Sequence, residues 1–151
     1  MLKHYYCGDK NDLQETKHFT YSIKDKSRLI DLVGKTSIFE SFELIKRASF
    51  VVENDLGLAN ATIALDCKKP VFVISNGSQY KGFMPYPKEM APNLHVIFHM
   101  LIEKYQELAL HDLDYEEVLV ADLYYFVGAS LHKIDGIESK RVFKHIISNL
   151  L

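Results

Sequence analysis

Between Phe50 and Ser75 the chain alternates uninterrupted apolar runs with a helical pattern. Phe50-Val51-Val52 stops at Glu53-Asn54-Asp55. A small-residue stretch, Leu58 to Leu65, has helical character, and Val71-Phe72-Val73-Ile74-Ser75 is apolar again after Pro70. Strands that are continuously apolar, rather than alternating, belong to sheets covered on both faces, and strands separated by a helix pair in parallel. The same rhythm occurs upstream. "LIDLV", Leu29 to Val33, is β-prone and closed by Gly34, and "TSIFESFELIKRAS" follows it. Ser37 and Glu40 have the spacing of a capping box, in which hydroxyl and carboxylate each satisfy a backbone amide at the helix start. Ile38, Phe42 and Ile45 recur on one helical face, and Lys46 and Arg47 complement the dipole in the last turn. This order of elements predicts an α/β domain with a parallel sheet.

The flanks are read with the same rules. Leu2 to Cys7 is a short strand ending at the Gly8-Asp9 turn, and Asn11 to Lys17 holds a short helix. Asn76 to Pro92 is a long loop rich in Gly, Pro and Tyr, of a length usually tied to function or disorder. Leu94 to Phe98 is another strand, followed by an amphipathic helix from about Leu101 to Leu110. Asp112 to Ser130 fits helix and strand equally. A helix after Gly136 puts Val142, Ile146 and Leu150 on one face.

At 151 residues the chain fits one domain or part of a larger protein. A net charge of -2 argues against a nucleic-acid surface. No apolar run reaches the ~20 residues of a membrane helix, and no leader pattern opens the chain. Cys7 and Cys67 lack metal-ligand spacing. They read as reduced, structural thiols of a cytoplasmic protein.

"GKTS", Gly34 to Ser37, resembles the end of a phosphate-binding loop. Such a loop needs a glycine five residues earlier, where this chain has Leu29. Gly34 is therefore expected to end a strand, with Thr36 or Ser37 capping the next helix. The turn Glu53 to Gly57 carries more chemistry. In parallel α/β sheets ligands bind at the carboxyl ends of strands, on loops leading into helices. Gly57 allows close backbone approach or a positive φ. The amides opening the helix at Leu58 suit a phosphate, and Asp55 suits sugar hydroxyls. Asp55 or Asn54 as a plain N-cap explains the same residues.

The stretch "DLVGKTSIFESFELIKRASFVVENDLGLANATIALDCKKPVFVIS" resembles the donor-binding half of the family 9 glycosyltransferases, the lipopolysaccharide heptosyltransferase family. The shared pattern is a "DLTGKTSL" strand and cap, a helix ending in "RA", then "NDTGxxH", an alanine-rich helix and a "PV" strand. It covers roughly Ile30 to Pro87, and "ISNGSQYKGFMPYP" resembles a loop of one branch. The resemblance implies a Rossmann-like three-layer domain, the C-terminal half of a GT-B fold. It implies transfer of a heptose-like sugar from a nucleoside-diphosphate donor, typically ADP-linked, to a lipopolysaccharide-type acceptor, with no metal or other cofactor. By position, Asp55 and Gly57, with the neighbouring Leu58 and Asn60, fall on the donor-binding segment. Asp12 falls near the acid that contacts the ribose, and Lys81 on the long loop is a candidate phosphate contact.

Two departures stand out. Leu56 replaces a threonine, removing a hydroxyl donor. Asn60 replaces a histidine, removing a possible cation beside the diphosphate. These changes bear on catalytic efficiency or on donor identity. The resemblance also implies an N-terminal acceptor domain holding the catalytic base, so no catalytic residue is expected among these 151. The chain is expected to be a fragment, one half of a split gene or a remnant, with residues 112–151 a helical extension of a single partial domain. The expected partners are the nucleotide-sugar donor and the missing acceptor half, without nucleic acid and with at most peripheral membrane contact. The alternative is a non-catalytic nucleotide-sugar-binding or interaction module. A flavodoxin-like regulatory domain is weaker, because acids do not cluster at the first strand end.

His95 and His99 lack a third metal ligand nearby and read as surface or core histidines. Cys7 with His4 has nothing to orient a nucleophile. Tyr80, Phe83 and Tyr86 suit stacking on a base or pinning of the loop equally well, and "YYF", Tyr124 to Phe126, reads as packing. An incomplete sheet edge predicts self-association or poor solubility.

Overall fold

The computed structural model describes residues 3–54, 57–65, 68–77, 84–100, 102–103 and 137–151, with the backbone alone at 15, 18, 19 and 22. Asp55, Leu56, Cys67, Tyr80, Lys81 and Phe83 lie outside the described residues, as do the expected helix beyond Glu103 and residues 112 to 136. The chain divides into two compact units, residues 1–47 and 48–151.

The first unit holds β1 (His4–Tyr6), a 3-10 turn (Lys10–Asp12), α1 (Leu13–Ser22), a second 3-10 turn (Lys26–Arg28), β2 (Leu29–Asp31) and α2 (Ile38–Arg47). Strands β1 and β2 pair in parallel, with His4 opposite Leu29 and Tyr6 opposite Asp31. Helix α1 is longer than the segment expected at Asn11 to Lys17. Its approach is set by a capping box the sequence reading passed over: Asp9 accepts from the Asn11 amide while Asp12 accepts from the Asp9 amide.

Gly34 ends the turn after β2 with φ +66, a conformation that favours glycine. The capping box of α2 is present as expected. The Ser37 amide donates to Glu40 Oε2 at 2.7 Å, and the Glu40 amide donates back to Ser37 Oγ at 3.3 Å. The inward stripe differs at its start. Ile45 is buried and Phe42 half-buried, but Ile38, the first helical residue, is 55% exposed. The lysine of the GKTS segment turns back on the preceding strand: Lys35 Nζ donates to the Asp31 carbonyl at 2.9 Å.

The second unit is built on a three-stranded parallel sheet, β3 (Val51–Asn54), β4 (Val71–Ser75) and β5 (Leu94–Phe98), in that spatial order. Helix α3 (Gly57–Ala64) connects β3 to β4, and α4 (Ser139–Leu150) is the last element. The α/β class and parallel pairing expected from the sequence are found, with the described strands in two sheets.

Residue parity sorts the second unit's two faces. Val71, Val73, Leu94 and Phe98 join a core with Ala59 of α3, Met84, Ala91 and Ile102. On the opposite face Phe72 is fully buried. His95 stacks on it at 5.0 Å, and His145 of α4 meets both rings edge-on. Only β4, the central strand, is covered along nearly its whole length. Strand β3 alternates, with Val52 41% exposed, because an edge strand is sheltered from one side less than its neighbour. On α4, Val142 and Ile146 are half-buried as the periodicity suggests, but Leu150 in the last turn is 36% exposed, and Phe143 is 67% exposed.

Candidate functional site

All three strands of the second unit run the same way, so Asn54, Ser75 and Phe98 end at one edge of the sheet. This is the edge where ligands bind in parallel α/β proteins. Helix α3 begins three residues after β3. Its first amides have no acceptor within the helix, as at any helix start. Gly57 opens this turn and is exposed. Among the described residues, a Cβ built on Gly57 would meet no atom within 4 Å, and its φ is not in the left-handed region. Of the two reasons for a glycine here, positive φ is thereby removed, and free approach to the backbone remains. Leu58 is half-buried and Ala59 fully buried, so the turn is seated on the sheet while its first residue faces outward.

Asn60 lies one position further along and is half-buried. Its Oδ1 accepts from the Tyr86 hydroxyl at 3.1 Å, which ties the long loop to α3. Tyr86 also packs against the core of this face. For this aromatic, pinning the loop is the role seen. Asp12 belongs to the first unit, where its carboxylate caps the Asp9 amide at 2.9 Å and lies against Gly8. Asp55 and Lys81 lie outside the described residues.

The ends of β4 and β5 are closed by backbone turns. The Gly77 amide donates to Ser75 Oγ at 3.0 Å, and the His99 amide donates to the Ser75 carbonyl at 3.1 Å. Gly77 is buried with φ +89 and sits directly on Ile102.

Three residues at this edge were not singled out from the sequence. Glu53, on β3, has Oε1 2.5 Å from Thr62 Oγ1 of α3, while Oε2 is buried without a partner among the described residues. Burial pushes the Glu53 carboxyl above the ordinary glutamate value, and outweighs the lowering that a hydrogen bond donated by Thr62 would bring. The signal was an acid inside an apolar strand, "FVVEN". Arg141 of α4 donates through Nη2 to the Phe98 carbonyl and to Glu103 Oε1, the latter at 2.6 Å. It thus places a cation at the end of β5. No periodicity marks it, because it is one basic residue among several on an amphipathic helix.

Other candidates resolve locally. His95 is pushed down by burial first, then by Lys88 and His145. The Cys7 thiol is pushed up by burial, the direction opposite to nucleophile activation. A cavity of about 50 Å3 lies at the other edge of the sheet, against Ile63, Val71, Met90 and Leu94. Drug-sized ligands need roughly 300–1,000 Å3, so this cavity does not compete as a ligand site. Among the described residues no helix is long and apolar enough to cross a membrane. No protein-family model, curated protein or solved structure matches the chain.

Proposed function

We propose that this chain is the donor-binding portion of a cytoplasmic family 9-like glycosyltransferase, with at most peripheral membrane contact, holding a nucleoside-diphosphate sugar at the carboxyl edge of the second unit's sheet. The observation that carries the reading is the open turn at Gly57. Its position after a parallel strand, its outward-facing glycine and the helix amides behind it suit a diphosphate. The described packing offers no reason of its own for a glycine there, which fits a position kept clear for a ligand. The order of motifs from Ile30 to Pro87 supplies the chemistry: a heptose-like sugar on an ADP-type carrier, passed to a lipopolysaccharide-type acceptor.

In this reading the acceptor oxygen displaces the nucleoside diphosphate directly at the anomeric carbon. Negative charge grows on the leaving phosphate oxygen. Amides of the first turn of α3 are the donors positioned to stabilise it, an effect that counts because they are fixed before the reaction. The acceptor's proton is removed by a base from an acceptor domain. Asn60 favours a second reading, a non-catalytic nucleotide-sugar module, because its side-chain oxygen is engaged by Tyr86 and it cannot carry positive charge.

Calorimetric titration with ADP and ADP-sugars tests the site. Asp55→Ala and Gly57→Val are each expected to weaken binding at least tenfold, a loss of about 1.4 kcal/mol. Unchanged binding in both variants removes the assignment. Sugar transfer on adding a separately expressed acceptor domain supports the catalytic reading, and binding without transfer supports the module.

A further inference from the structure

Glu53 faces α3 from β3 in a setting poor in charge. Its register partner on β4 is Val73, and neither β4 nor α3 contains an ionisable side chain. The polar group facing Glu53 is the fully buried Thr62. Thr62 Oγ1 lies 2.5 Å from Glu53 Oε1 and 2.9 Å from the Leu58 carbonyl oxygen.

A hydroxyl has one proton to donate. If Glu53 is ionised, both neighbours of Thr62 Oγ1 are pure acceptors, and one contact is two oxygens with no proton between them. Glu53 Oε2 is also buried with no partner among the described residues. An ionised carboxylate here combines a desolvated charge, no described counter-ion and too few donors, each of which is unfavourable. One proton on Oε1 resolves the arrangement. Glu53 then donates to Thr62, and Thr62 donates to Leu58.

We propose that Glu53 keeps its proton in the folded protein, and that the relay from Glu53 through Thr62 to Leu58 latches α3, with the turn that opens at Gly57, onto β3. Glu53 is then a positioning residue, and the latch does not depend on the sugar-transfer reading. Burial acts in the same direction by raising the carboxyl above its ordinary value of 4.5.

The latch has a pH signature. Opening of α3 exposes Glu53 and releases its proton. The opening constant therefore rises toward tenfold per pH unit between 4.5 and the raised folded value, and levels off above it. Two measurements on the full chain test this. The first is carbon-13 NMR titration of the glutamate carboxyls. Glu53 is expected to stay protonated at pH values where the exposed Glu40 and Glu43 are ionised. The second is hydrogen exchange of the α3 amides across pH, corrected for intrinsic rates. E53Q carries a side-chain amide that donates to Thr62 as the protonated acid does, so its α3 protection is expected not to change with pH. T62V removes the relay at similar volume and is expected to lower protection at every pH. Should T62V not fold, the wild-type titration and E53Q decide. Glu53 ionising at or below 4.5, or E53Q showing the wild-type slope, overturns the proposal.

Discussion

The two glycines at the carboxyl edge of the sheet give opposite expectations for one substitution. At Gly77 an alanine Cβ would lie 2.6 Å from Ile102 Cγ1 and 2.8 Å from Cδ1. Ile102 is fully buried and has no exposed space to swing into. The backbone adds to the cost, because φ +89 is a conformation that a side chain disfavours. A left-handed residue with a Cβ costs roughly 1–2 kcal/mol. Overpacking a closed site costs roughly 1–3 kcal/mol. Gly77→Ala is therefore expected to destabilise by about 2–5 kcal/mol, a large part of the roughly 5–15 kcal/mol typical of a folded protein.

At Gly57 no atom of the described residues lies within 4 Å of the added carbon, and the backbone is not left-handed. Alanine gains up to about 1 kcal/mol over glycine in a helix, so Gly57→Ala should be neutral or slightly stabilising. Urea unfolding separates the two. With a slope of roughly 2 kcal/mol per molar, Gly77→Ala should lower the midpoint by about 1–2.5 M at unchanged slope. Gly57→Ala should leave it in place or raise it. A Gly77→Ala midpoint within about 0.3 M of wild type would refute the steric argument. A loss above about 1 kcal/mol for Gly57→Ala would show that the fold requires this glycine, and would remove the main support for a ligand there.

Two further outcomes follow from local chemistry. Ser37→Ala removes the hydroxyl that accepts from the Glu40 amide and is expected to cost about 1 kcal/mol, read by the same urea midpoint. Because the Ser37 amide and hydroxyl hold Glu40 below its ordinary value of 4.5, the stability they add is present above that value and is lost as pH falls through the folded one. His95 carries the same sign of acid sensitivity by another route. Its folded value is below 6.5, so the unfolded chain takes up the proton more readily and stability falls as pH drops through 6.5 toward the folded value. His95→Gln should flatten the fall in urea midpoint between pH 7.5 and 5.5, and an unchanged fall would show that His95 is not its source.

Much of the architecture could be read from local pattern. Val71–Ser75 and Leu94–Phe98 are strands with the expected bounds; the four consecutive apolar residues Val71 to Ile74 need cover on both sides, and in Leu94–Phe98 His95 alone breaks the apolar run. The cap at Ser37 and Glu40 was legible because both partners lie within one turn. The turn at Gly57 could be located for a similar reason, since strand end, glycine and helix start are consecutive. Other features depend on residues far apart in the chain. Phe50, Val51 and Val52 look like a buried strand, yet among the described strands β3 is an edge and exposes Val52, which follows from strand order rather than composition.

The contacts at the candidate site show the same division. That Asn60 receives the Tyr86 hydroxyl, and that Arg141 reaches the Phe98 carbonyl, depends on segments 26 and 43 residues apart meeting in space. The protonation of Glu53 is the clearest case. Sequence marks it only as an acid that follows an apolar run. Its charge state is set by which groups surround it after folding, since a carboxyl's balance between ionised and neutral forms responds to donors, counter-ions and water within a few ångströms, and none of these is written in its own position along the chain.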